Sequence, residues 1–124
     1  MQIDLPEVLA EVEQAFARYE QALIANDTAT LDALFWRDER VLRLGVAENG
    51  YGHAAIAAFR AARPSGAAQR QITRVQITSF GHDCAHTCVE FERDGRAGRQ
   101  TQTQTWLRLP EGWRIVAAHV SVLR

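Results

Sequence analysis

The chain has 124 residues, 47% hydrophobic and 23% charged, with a formal net charge of -1 at pH 7. These values fit one domain over residues 1–124 and argue against a surface built for nucleic acid or anionic membranes. No apolar run approaches the ~20 residues of a membrane span, and Met1 to Pro6 lacks a basic-then-apolar leader. The expected location is therefore the cytoplasm. All 14 basic residues are arginine, which excludes a lysine Schiff base or lysine general base. Any cation in a site is then a guanidinium, permanently charged and able to hold a carboxylate through two hydrogen bonds. Cys84 and Cys88 are too few for a disulfide scaffold and are read as reduced thiols.

Asp4-Leu5-Pro6-Glu7 reads as a helix start, with Asp4 as the capping acid. Val8, Leu9, Val12, Ala15, Phe16, Tyr19 and Leu23 then recur at helical spacing, which puts Tyr19 on a buried stripe. Asn26-Asp27 breaks that helix, and Asp27 or Thr28 caps a short second one through Leu31, Leu34 and Phe35. Arg40 to Leu44 reads as a strand with Val41 and Arg43 on one face and Leu42 and Leu44 on the other. A turn-rich stretch follows from Gly45 to Gly52. Ala54 to Arg63 forms a third helix with Ile56 and Phe59 inward, stopped by Pro64 and Gly66.

The second half alternates as β-strands. Gln71 to Phe80 sets Ile72, Arg74 and Gln76 against Thr73, Val75 and Ile77. Cys84 to Arg93 leads to a turn at Asp94-Gly95, and Gln100 to Leu109 joins Trp113 to Leu123 through Pro110-Glu111-Gly112. The Gln-Thr repeat at 100–105 should sort glutamines to one face and threonines to the other. Helices followed by consecutive antiparallel strands make an α+β fold, a strongly bent sheet wrapped around the long N-terminal helix. Such a sheet leaves a pocket between its concave face and the helix.

His82, Cys84, His86 and Cys88 share a strand face and imitate a zinc set. At ~3.3 Å per residue they span about 20 Å, whereas zinc holds ligands at roughly 2.0–2.3 Å, so no metal is expected. An arginine amid Val41, Leu42 and Leu44 faces either solvent or, at a high cost without an anionic partner, the pocket. His119 and Ser121 share a face with Ile115 and Ala117 and are candidates for the pocket wall. Val116, Ala118, Val120 and Val122 on the other face would pack against helices or another subunit. No phosphate loop, dinucleotide fingerprint or nucleophile elbow is present.

Leu5-Pro6-Glu7-Val8, Phe16-Ala17-Arg18-Tyr19-Glu20, Leu34-Phe35-Trp36 and Ala47-Glu48-Asn49 with Tyr51-Gly52 form a familiar series. It continues through Phe59-Arg60-Ala61-Ala62-Arg63-Pro64 and Gln104-Thr105-Trp106 to the run Pro110 to Ser121. Together these motifs resemble the small NTF2-like proteins of ureide and cyanuric acid catabolism. That family includes an oxalurate-catabolism accessory protein and a decarboxylating amidohydrolase of 1,3-dicarboxyurea. The resemblance implies a cystatin-like α+β cone, a homodimer packed through the sheet (a tetramer is the alternative), and Tyr19 and Arg43 as the catalytic pair. The activity it implies is on a small anionic ureide; no metal or cofactor is expected, and His119, Ser121, Gln104 and Tyr51 are the candidates for binding substrate. Two other readings stay open: a non-catalytic ureide binder serving a partner amidase, and an isomerase or cyclase of the ketosteroid isomerase type. Leu44 where an aromatic is common, Gly50 for a bulkier residue, and the Gln-Thr run depart from the family pattern.

Overall fold

The computed structural model describes residues 1–63, 70–93 and 98–123. Helix α1 runs Pro6–Ala25, α2 Thr28–Leu34 and α3 His53–Ala62. The strands are β1 Leu42–Leu44, β2 Asn49–Tyr51, β3 Arg70–Phe80, β4 Cys84–Arg93, β5 Arg99–Leu109 and β6 Gly112–Leu123. They form one sheet in the order β2-β1-β6-β5-β4-β3, parallel between β1 and β6 and antiparallel elsewhere. The expected helix stop at Pro64 and Gly66 and the turn at Asp94-Gly95 lie outside the described residues.

Helix α1 is about 30 Å long at 1.5 Å per residue, and it lays Val8, Val12, Phe16, Tyr19 and Leu23 against the sheet. The stripe buries Val8 and Val12 fully, beside Trp106, Ile115, Leu31, Leu34 and Phe35. Asp4 does not cap the helix. Its backbone is left-handed (φ 56°), Leu5 takes the cap position, and Pro6 opens the first turn. Asp4 instead accepts a 2.8 Å hydrogen bond from the Ser79 amide and donates its own N–H to the Ser79 carbonyl, which ties the N-terminal segment to the end of β3. Asn26 ends α1 in the left-handed conformation, and Asp27 caps α2 by accepting from the Thr30 amide.

Two β-bulges decide which side chains face inward. In β6, Ile115 pairs with Trp106 and Ala117 with Thr105, so Val116 is an extra residue. Trp113 and Ile115 point inward before it, and Ala118 and Val120 point inward after it. The expected alternation through β6 is therefore corrected: His119 and Ser121 are exposed on the convex face, paired with Thr103 and Thr101. In β3, Thr73 is the extra residue between Ile72 and Arg74, which turns Arg70 to the concave side together with Val75 and Ile77. The glutamines of β5 are all buried inward, at 2–3% exposure, with the threonines behind them. The strand β2, read from sequence as turn, exists because Asn49–Tyr51 pairs with β1; Asn49 and Gly50 have little strand propensity of their own.

Candidate functional site

A cavity of about 170 Å³ opens between the C-terminal half of α1, the β1–β2 connection, α3 and the concave ends of β3 to β6. Tyr19 and Leu23 reach it because they continue the α1 stripe by steps of three and four. Arg43 faces it because its partner across the parallel β1–β6 ladder is Ala118, an inward residue. Arg63, Arg70, Arg93, Gln100 and Gln102 add to its polar wall, and Phe59, Phe91 and Val120 supply apolar surface. A small recess beside it is lined by Ile56 and Arg60 along with Tyr19 and Arg43.

The arginines divide by partner. Arg60 pairs with Asp32 and lies 5.2 Å from the Phe35 ring; Arg70 pairs with Glu20 and lies 4.4 Å from the Phe91 ring. Both side chains are nearly fully buried, at 5% and 4% exposure, so these acids neutralise charges that water cannot reach. Arg43 has no such acid among the described residues. Its guanidinium stands 5.9 Å from the Phe59 ring and against Gly45, where a Cβ would come within 2.9 Å of Nη1 and 2.8 Å of the Glu48 carbonyl. Gly45 is thus the residue that lets the guanidinium approach the β1–β2 connection closely.

The electrostatics follow. Burial pulls the Arg43 guanidinium below its ordinary value; Tyr19 acts against this, and the guanidiniums of Arg60, Arg63 and Arg70 add to the lowering. Arg63 is lowered for the same first reason, burial, with Arg60 adding to it. A site that disfavours its own cations is one in which an incoming anion relieves the strain. Among the described residues, Glu48 is the one carboxylate residue lining the cavity.

Tyr19 is 2% exposed, and its hydroxyl oxygen accepts a 3.1 Å hydrogen bond from the Gln102 amide. Its ring tilts 58° to that of Phe35 at 6.4 Å. The structure therefore brings Tyr19 and Arg43 to one cavity. It does not bring the other expected binders there. Gln104 lies on the concave face but accepts from Thr87, outside the cavity wall; Tyr51 is 65% exposed; His119 and Ser121 are on the convex face. Sequence reasoning missed Arg63, Arg70, Arg93, Gln100 and Gln102. Ile56, Phe59, Arg60 and Arg63 follow helical spacing, a signal that could have found Arg63, and the Gln-Thr alternation already placed Gln102 beside Gln104.

Among the described residues no group of three or more His, Cys, Asp or Glu side chains is placed to hold a metal, and no helix is long and apolar enough to cross a membrane. Both cysteines are free.

Comparison with solved structures gives a DUF3225 family protein from Pectobacterium atrosepticum at 51% identity and TM-score 0.95, covering 98% of this chain and 95% of that one. A cystatin-like fold protein from Burkholderia xenovorans matches at 41% identity and TM-score 0.94, covering 99% and 97%. An NTF2-like protein from Pseudomonas putida shares the fold at 16% identity and TM-score 0.77, covering 91% and 84%. A comparison with curated proteins gives no match. The bent α+β sheet, its helix and its solved relatives agree on a cystatin-like, NTF2-like fold. Matched by the family model over residues 1–124, the chain belongs to the AtzH-like family.

Proposed function

We propose that the cavity binds a small N-carboxylated urea, of the 1,3-dicarboxyurea kind, and removes carbon dioxide from it. The observation that carries this reading is the pairing of Arg43, a cation without an acid among the described residues, with a buried phenol in the same cavity. Drug-sized ligands need pockets of roughly 300–1,000 Å³; a cavity of about 170 Å³ suits something smaller. Arg43 would grip one carboxylate through two parallel N–H bonds, strengthened by exclusion of water. Arg63 offers a second cationic contact on the same wall.

The chemistry asked of the site is a proton transfer. Tyr19 donates its hydroxyl proton to the carbamate nitrogen, the N–C bond breaks with its electron pair going to nitrogen, and the carboxylate leaves as carbon dioxide. The products are a urea with one carboxylate fewer and carbon dioxide; a proton from water restores the phenol. One proton is consumed overall, and no oxidant is required. An isomerase of the ketosteroid type would want a carboxylate base in an apolar interior, and Glu20, the acid next to Tyr19, is already paired with Arg70.

Turnover of 1,3-dicarboxyurea, followed by carbon dioxide release, tests the reading. Arg43→Ala and Tyr19→Phe should each lose on the order of 100-fold or more in kcat/KM. Unchanged rates in both variants would sink it. Tight binding of the ureide without any turnover by the wild type would instead favour a binding subunit.

A further inference from the structure

The proposed reaction needs the Tyr19 proton aimed at the ligand, and the polar contacts around the cavity provide the aim. We infer that Gln102 is a positioning residue: held by Arg70, it occupies the Tyr19 oxygen and turns the phenolic proton into the cavity. This rests on the donor role proposed for Tyr19.

An arginine carries donors only, and Arg70 Nη1 lies 2.9 Å from the Gln102 side-chain oxygen. The opposite amide orientation would set donor against donor, so the oxygen of Gln102 must face Arg70. The amide nitrogen then meets Tyr19, at 3.1 Å. An amide nitrogen does not accept, and so the Tyr19 oxygen does. A phenol has one proton, and among the described residues the Tyr19 hydroxyl makes no other hydrogen bond. The direction left for that proton is the cavity that Tyr19 lines.

The holder is itself held. Arg70 pairs with Glu20 and lies over Phe91, and Gln102 is 3% exposed. Glu20 directly follows Tyr19 in α1, so the contacts Glu20, Arg70, Gln102 and Tyr19 form a ring that leaves the helix and returns to it one residue away. A closed ring leaves the amide little freedom to flip. It also removes Glu20 as a competing acceptor for the phenolic proton.

Two substitutions in the full chain separate aiming from support. Gln102→Glu keeps an acceptor for Arg70 but offers Tyr19 another acceptor, so the phenol turns its proton away from the cavity. Gln102→Leu removes both hydrogen bonds, leaves Arg70 with an unmet donor, and lets the Tyr19 hydroxyl rotate freely. The expected order of thermal stability is therefore Gln102→Glu above Gln102→Leu. The expected order of kcat on 1,3-dicarboxyurea is the reverse, with losses on the order of 100-fold for Gln102→Glu and about tenfold for Gln102→Leu. Activity that simply follows stability overturns the inference.

A second readout needs no substrate. Tyr19 and Tyr51 are the only tyrosines, so in a Tyr51→Phe background the Raman doublet of the phenol ring reports Tyr19 alone. Adding Gln102→Glu should move the doublet toward the pattern of a strong donor; an unmoved doublet overturns the inference. If Tyr19→Phe and Arg43→Ala abolish turnover while the Gln102 variants follow stability, the proposed function stands and the positioning role falls. If Tyr19→Phe keeps full turnover, the proposed function falls, and the Raman result still decides the hydrogen-bond direction.

Discussion

Gln104 and Gln102 sit two residues apart on β5, are buried to 2% and 3% exposure, and point to the same side of the sheet, yet they serve opposite ends of the concave face. At Gln104 the Trp106 indole donates to Thr87 at 3.1 Å, and Thr87 donates to the Gln104 oxygen at 3.0 Å. That chain stays inside the apolar core with Val8, Val12 and Ile115, and the Gln104 amide nitrogen has no hydrogen-bond partner among the described residues. At Gln102 the donor is a buried guanidinium already matched by Glu20, and the chain ends on a phenol at a cavity. The same side chain thus either closes a core or equips a site, according to whether its neighbour is neutral or charged. Charge divides the two ends as well: the chain at the closed end is made of neutral groups, and the open end keeps Arg43 without an acid among the described residues.

The largest effect that would break this division is at the closed end. Trp106→Ala removes a fully buried ring and the hydrogen bond that Thr87 accepts from it, and should cost about 3–5 kcal/mol in chemical denaturation. A loss under about 1 kcal/mol would mean that this end is not the structural one.

At the open end the sign should reverse. Arg43→Met replaces a half-buried guanidinium, without an acid partner among the described residues, with an apolar chain of similar reach, and should leave stability unchanged or raise it by about 1 kcal/mol. Anion binding, measured by calorimetry with a ureide carboxylate, should be lost in the same variant. Clear destabilisation would show that Arg43 has a structural duty and would blur the contrast.

The smallest effect is outside both ends and calibrates them. Asp38 accepts from the Arg40 side chain and backbone, which lowers its carboxyl from 3.8 to about 2. A lowered folded value favours the native state above the unfolded value, and this contribution fades as pH falls through about 2. Acid titrations of stability for wild type and Asp38→Asn should therefore differ at neutral pH and converge at the acid end. A gap that persists there would reassign the cause.

Much of this was legible in the residues. The α1 stripe revealed Tyr19 because helical spacing is a property of the chain itself, and the Gln-Thr run revealed an inward row because a strand has a period of two. Asp4 looked like a cap because its spacing to Glu7 is right; only the folded chain brings Ser79 within reach of its carboxylate. His119 was misjudged, and Ile72 was set on one face with Arg74 and Gln76, for a common reason. No residue type marks Thr73 or Val116 as a bulge, since each arises from pairing with a distant strand. The short strand β2 is likewise made by its partner rather than by its own composition.

Those two bulges act as phase shifts in a binary signal. Past Val116 the odd positions trade places with the even ones, so Ala118 and Val120 join the concave lining while His119 and Ser121 are handed to the outer surface. Removing one residue at that point would exchange the whole inventory without altering another letter of the strand. In a sheet of this kind, the chemistry offered to a ligand depends on counting as much as on spelling, and lineages that gain or lose a single residue in β6 would present different walls from nearly identical sequences.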